Sequence, residues 1–207
     1  MARRSDHSRE QLRDLAIESV LAIVDADPKA KVSARAVALG MGYTVGTLYL
    51  VFENLDDLIA QVNTELLGRL YSDMQFNIKD EVDPQTALLV IAKSYLSLAE
   101  HYPGRWQLLS QGVDSNTQHK PLDNLVEEIF VLVESQLLRI APLRNAKEVS
   151  IAARALWGAV HGIGVIYTTS RLKRHTHYDA QFLARTLIHT YLSGFVFDTM
   201  QPVAPIK

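Results

Sequence analysis

A chain of 207 residues that is 48% hydrophobic can bury a substantial core, and its net charge of −2 excludes coating nucleic acid by charge alone. With no cysteine, disulfides, thiol nucleophiles and thiolate zinc sites are excluded as well. The longest apolar runs fall far short of the roughly eighteen residues of a membrane span, and "MARRSDHSRE" carries no signal-like segment. The expectation is a cytoplasmic protein with no membrane partner.

Ser8 and Gln11 are spaced as a capping box, after which Leu12, Leu15, Ala16, Val20 and Ile23 keep a helical period until Asp27-Pro28 stops it. Ser33 caps a second, short helix with Ala34, Val37 and Ala38 on its inner face. Gly40 and Gly42 mark its end, Gly42 because glycine takes a left-handed backbone without strain. Thr44 reads as the N-cap of a third helix reaching Phe52, its hydroxyl accepting from the Thr47 amide and Leu48 facing inward. Asn54 caps a fourth helix over 56–75, with Asp56 and Asp57 in the first turn, where the helix dipole favours negative charge.

Helical spacing continues over 84–101, 104–111, 122–140, 147–172 and 178–200, broken at Asp83-Pro84, Pro103-Gly104, Pro121, Pro142 and "KRHTHY". "IFVLV" suits a strand by composition, but Leu122, Leu125, Val126, Ile129 and Val133 hold a helical period. Residues 201–207 read as a loose tail. The expected class is all-α: an N-terminal helix-turn-helix domain over 1–55 and a helical bundle for ligand binding and dimerisation over 56–200.

Residues 33–58, "SARAVALGMGYTVGTLYLVFENLDDL", resemble the DNA-binding signature of the tetracycline-repressor (TetR) family of transcriptional regulators. The matching positions are Ser33, Arg35, Val37, Ala38, Gly42, Thr44, Gly46, Thr47, Leu48, Tyr49 and Phe52, followed by Asp56, Asp57 and Leu58. "ALWGAVHG" (155–162) is similar to one of the family's C-terminal domain types, that with a Trp-His-Gly pattern. The resemblance implies a reading head whose DNA-binding residues are Ser33, Arg35, Thr44, Val45, Gly46, Thr47 and Tyr49. Small Gly46 lets the start of the third helix approach the groove; Thr47 and Tyr49 offer hydroxyls to phosphates, Val45 an apolar contact for a thymine methyl, and Arg35 a backbone clamp. Taken singly, Thr44 reads equally as a cap, Tyr49 as packing and Arg35 as an ion-pair partner. Leu55 stands where the family carries Lys, and Leu50-Val51 where it carries a more polar or aromatic pair. Residues 1–55 hold seven Lys and Arg against seven Asp and Glu, so a shallow salt dependence of DNA affinity is expected.

The last two helices are more apolar than one core-facing stripe requires, and the resemblance implies that they pair with their twins in a homodimer. Gly158, Gly162, Ile188, Tyr191, Leu192 and Phe195 are the candidate interface, the glycines fitting equally well a close packing within one subunit. Trp157 and His161 share a helix face and, with Tyr71, Tyr95, Trp106 and Phe130, are candidates to line a cavity for a small apolar or amphipathic effector; core packing is the plainer reading of each alone. Adjacent Glu127 and Glu128 face different directions, and His175 and His177 sit in a turn without neighbouring carboxylates. No catalytic residue, metal site or cofactor is therefore expected. The reading is a non-enzymatic, ligand-responsive repressor that grips a palindromic double-stranded DNA operator. The rivals are a DNA binder without an effector and a helical small-molecule-binding protein.

Overall fold

The capping residues legible in the sequence start the helices of the computed structural model, which describes residues 7–78, 83–111, 119–169, 174 and 177–197. The helices run α1 (Arg9–Ala26), α2 (Ala34–Met41), α3 (Val45–Leu48), α4 (Leu55–Asn77), α5 (Pro84–His101), α6 (Pro103–Gln111), α7 (Lys120–Ile140), α8 (Ala146–Thr168) and α9 (Ala180–Phe197). No strand occurs among the described residues, so the all-α class expected from the spacing is the one found. The expected tail over 201–207 and the first six residues lie outside the described set.

Ser8 and Gln11 form the reciprocal capping box of α1, with Ser8 N–H donating to Gln11 Oε1 at 2.7 Å. Ser33 Oγ accepts from Ala36 N at 3.3 Å, and Gly42 closes α2 at φ +74°, the left-handed region where a side chain is strained. Asn54 Oδ1 accepts from Asp57 N at 2.8 Å while Asp57 Oδ2 accepts from Glu53 N at 3.0 Å, so two otherwise orphaned amides are satisfied at the start of α4.

The chain divides into two compact units: Met1–Asp73 with Ser97–Glu127, and Met74–Leu96 with Glu128–Lys207. The reason for the first is its core. Leu12, Ala16, Ile17 and Val20 of α1, Val37 and Met41 of α2, Leu48, Phe52, and Leu58, Val62 and Leu66 of α4 form one apolar cluster against which Leu108 of α6 also packs. Two glycines set the approach distances. A Cβ on Gly40 would stand 2.2 Å from Ser19 Oγ, and one on Gly104 would stand 2.0 Å from the Val24 carbonyl oxygen. Ser19 donates to Val37 O at 3.0 Å between α1 and α2. Arg105 forks onto Asp25 through Nε and Nη2 at 2.8 and 2.5 Å and lies 4.6 Å from the Tyr102 ring centroid, fastening α6 to the end of α1. Asn63 of α4 is fully buried, its amide donating to Leu108 O at 3.3 Å.

In the second unit, α8 buries Val149, Ala152, Ala153, Leu156, Val160, Ile163 and Gly164, and α9 buries Ala184, Ile188, Leu192 and Phe195. α8 begins at a capping box of Asn145 and Glu148. Arg144, just before it, donates to Phe195 O at 2.8 Å, to Glu148 Oε1 at 3.2 Å, and lies 5.1 Å from the Phe195 ring centroid. By length and composition α8 would pass for a membrane span. Its apolar content is divided instead between that buried face and an exposed line described below.

Candidate nucleic-acid interface and effector site

α3 is shorter than the sequence suggests: four residues rather than a helix to Phe52. Beyond Leu48 the chain keeps winding in tighter turns, with Leu50 N–H donating to Thr47 O at 3.2 Å and Val51 N–H to Leu48 O at 3.1 Å. An isolated helix of this length has no stability of its own. It is held because Leu48 and Phe52 are 0% and 2% exposed, each burial worth about 2 kcal/mol.

That anchoring leaves the other side of the segment open. Thr44, Gly46, Tyr49 and Leu50 are exposed, and Val45 and Thr47 are half-buried. Thr44 Oγ1 accepts from Thr47 N at 3.3 Å and shares a hydrogen bond of 3.1 Å with Thr47 Oγ1, so the cap is real and both hydroxyls meet at the helix tip. Ser33 is half-buried and acts as the cap of α2; Arg35 is exposed and enters no ion pair among the described residues. His7 Nδ1 and Tyr43 Oη share a hydrogen bond of 2.6 Å, tying the residue ahead of the α1 cap to the α2–α3 turn. Nothing in local spacing signals that pair, which lies thirty-six residues apart.

Of the candidate effector residues, Tyr71 and Trp106 belong to the first unit and Tyr95, Phe130, Trp157 and His161 to the second. The structure brings the latter four together. Tyr95 Oη and His161 Nδ1 share a hydrogen bond of 2.8 Å, Trp157 stacks on His161 at 5.4 Å between centroids, and Phe130 meets Trp157 edge-on at 6.1 Å. Arg154, absent from the sequence-based candidates, lies 4.4 Å from the Phe130 centroid and pairs with Glu134 at 2.9 Å. Its signal was the helical interval to Trp157 and His161. Burial holds His161 below its ordinary value, favouring the neutral ring. Trp157 remains 49% exposed and Trp106 only 3%.

The expected interface residues divide. Ile188, Leu192 and Phe195 are 2%, 4% and 4% exposed, buried within their own chain. Tyr191 is half-buried and stacks on Phe195 at 6.1 Å. Around Gly158 and Gly162 an added Cβ would meet nothing within 4 Å. Among the described residues, nothing packs against these two glycines. They fall on an exposed or half-exposed line with Ile151, Ala155 and Val165, spaced alternately four and three residues apart. On α9 the exposed residues Phe182, Thr186, His189, Ser193 and Val196 repeat that spacing. Of the two histidines in the "KRHTHY" turn, His175 lies outside the described residues and His177 is exposed.

No family model matches the chain, and no curated protein matches it. Among solved structures, a TetR-family transcriptional regulator from Streptomyces coelicolor is similar over 89% of this chain and 99% of its own, with TM-score 0.65 and 18% identity. The transcriptional regulator FadR from Bacillus subtilis, in complex with stearoyl-CoA, covers 87% and 98%, with TM-score 0.66 and 16% identity. BioQ, solved with its natural double-stranded DNA operator, covers 87% and 98%, with TM-score 0.65 and 16% identity. At such identities the likeness establishes the fold: this chain has the all-helical fold of the TetR-like regulators.

Proposed function

We propose that the chain is a ligand-responsive transcriptional repressor, a cytoplasmic homodimer that binds a palindromic double-stranded DNA operator through two copies of the Thr44-capped segment. The observation that carries this reading is the segment's division of labour. Leu48 and Phe52 anchor it, while Thr44, Gly46, Tyr49 and Leu50 stand exposed on a reading head of helix-turn-helix form. Arg35, Ser33 and Thr47 are assigned to the phosphates and Val45 to a base edge. Support also comes from FadR and BioQ, similar folds solved with an acyl-CoA and with an operator.

Dimerisation is assigned to the line through Gly158 and Gly162, against which nothing packs among the described residues, together with the exposed face of α9. The effector, small and apolar or amphipathic, is assigned to Tyr95, Phe130, Trp157 and His161, with Tyr71 and Trp106 retained as further candidates. It acts by binding more tightly to a conformation of lower operator affinity; the size of that difference sets the response. The deciding experiment is a gel shift of the purified protein with the DNA upstream of its own gene. A retarded band that survives excess random competitor is expected, and no shift with this or any other duplex sinks the reading.

A further inference from the structure

We infer that Leu50 is a specificity-determining residue that reads thymine methyl groups, an inference that rests on the reading of residues 33–58 as a DNA-binding head. Residues 41–52, "MGYTVGTLYLVF", contain no Lys, Arg, His, Asp, Glu, Asn or Gln. Every side chain able to make a bidentate hydrogen bond to a guanine or adenine edge is thus missing from the turn and the helix that would enter the groove. Hydroxyls and apolar groups remain. Thr44 and Thr47 direct their hydroxyls at each other across 3.1 Å. In the major groove the one apolar feature of any base pair is the C5-methyl of thymine.

Leu50 is placed to meet it. It is 70% exposed between Leu48 and Phe52, which are 0% and 2% exposed, so the two anchors hold it outward. Its own amide donates to Thr47 O at 3.2 Å and the next one, Val51 N–H, to Leu48 O at 3.1 Å, fixing the backbone that presents it. One helical turn earlier stands Gly46, where an added Cβ would meet only Thr44 Oγ1 at an ordinary 3.7 Å. Among the described residues, packing does not require a glycine there. What its bare backbone gives is a lowered surface beside Leu50, over which a base pair can approach. Val45, the apolar residue expected from the sequence to serve this role, is half-buried and presents less surface.

The test uses the full-length protein and duplexes enriched by it from a random-sequence pool. Each enriched thymine is replaced in turn by deoxyuridine, which keeps every hydrogen-bonding group and loses only the methyl. Where Leu50 contacts that methyl, affinity falls about fourfold per site. Leu50→Ala is expected to weaken the thymine duplex by a similar factor and to bind the two duplexes alike, with unchanged thermal unfolding. The inference is overturned if deoxyuridine is tolerated at every position, or if Val45→Ala rather than Leu50→Ala erases the difference; both results leave DNA binding standing. Failure to enrich any duplex removes the reading of the head itself, and this inference with it.

Discussion

Gly104 lies so close to Val24 that a methyl group in place of its hydrogen would sit 2.0 Å from the Val24 carbonyl oxygen. Backbone, not a flexible side-chain end, is the obstacle, so α6 would have to withdraw from α1. Gly104→Ala is expected to destabilise the protein by about 1–3 kcal/mol or more, read as a lowered midpoint in urea. Arg105→Ala, which removes a partly exposed ion pair and keeps the close approach, is expected to cost less. Equal losses would show that the approach itself contributes little.

The opposite sign is expected at Gly158 and Gly162. Alanine there meets nothing within 4 Å and improves helix propensity by about 0.8–1 kcal/mol per residue, so a dissociated chain should become more stable. Self-association should weaken at the same time, because the backbones of paired subunits would be held apart. Sedimentation over a concentration series measures the second effect. Unaltered or tighter association would remove the glycine line from the interface.

His161 supplies a dependence on pH. Its folded-state value lies below the ordinary 6.5, because burial disfavours the charged ring. The unfolded chain therefore binds more protons in the interval between the two values, and stability rises with pH across it. The contribution is fully present above about pH 6.5 and is lost as the pH falls toward the folded value. Thermal unfolding of wild type and His161→Gln should diverge in that window. Parallel curves would contradict the assignment.

Arg144 ties the start of α8 to the last turn of α9 by donating to Phe195 O from a side chain that is only 10% exposed. Arg144→Ala leaves that carbonyl without its charged donor and should cost about 2 kcal/mol. Arg144→Lys, which cannot reproduce the fork, should recover only part of it.

For DNA, the seven cations and seven acids of residues 1–55 lead to a shallow fall of log affinity with log salt. Tyr49→Ala is expected to weaken binding to operator and random DNA alike, whereas substitution of Val45 shifts preference only at base pairs other than those whose thymine methyl Leu50 contacts. A steep salt slope, or the two substitutions exchanging effects, would contradict these roles.

Most of what is local was legible. Ser8, Ser33, Thr44 and Asn54 cap helices because a cap is a hydrogen bond across two or three residues, and spacing alone reveals it. α3 stops at Leu48 instead of reaching Phe52 because a short segment pinned by two buried side chains winds as the core allows, and propensity has little say. On α9, apolar residues occur all round the helix, so periodicity could not separate Ile188, Leu192 and Phe195, which face inward, from Phe182 and Val196, which do not. Gly40 and Gly104 carry no sequence sign of their roles, since the atoms that require them, on Ser19 and Val24, are remote along the chain. The same holds for Tyr95 with His161, sixty-six residues apart.

If the head binds DNA as proposed, the balanced charge of the first fifty-five residues bears on how the protein divides between cognate and random sites. A head whose acids offset its cations is expected to gain less from releasing counterions than a strongly basic one, and to be held less tightly by non-specific DNA. On the proposed reading, such a head forgoes part of the electrostatic capture and sliding open to a basic one, and leaves a larger share of its molecules off non-cognate sites.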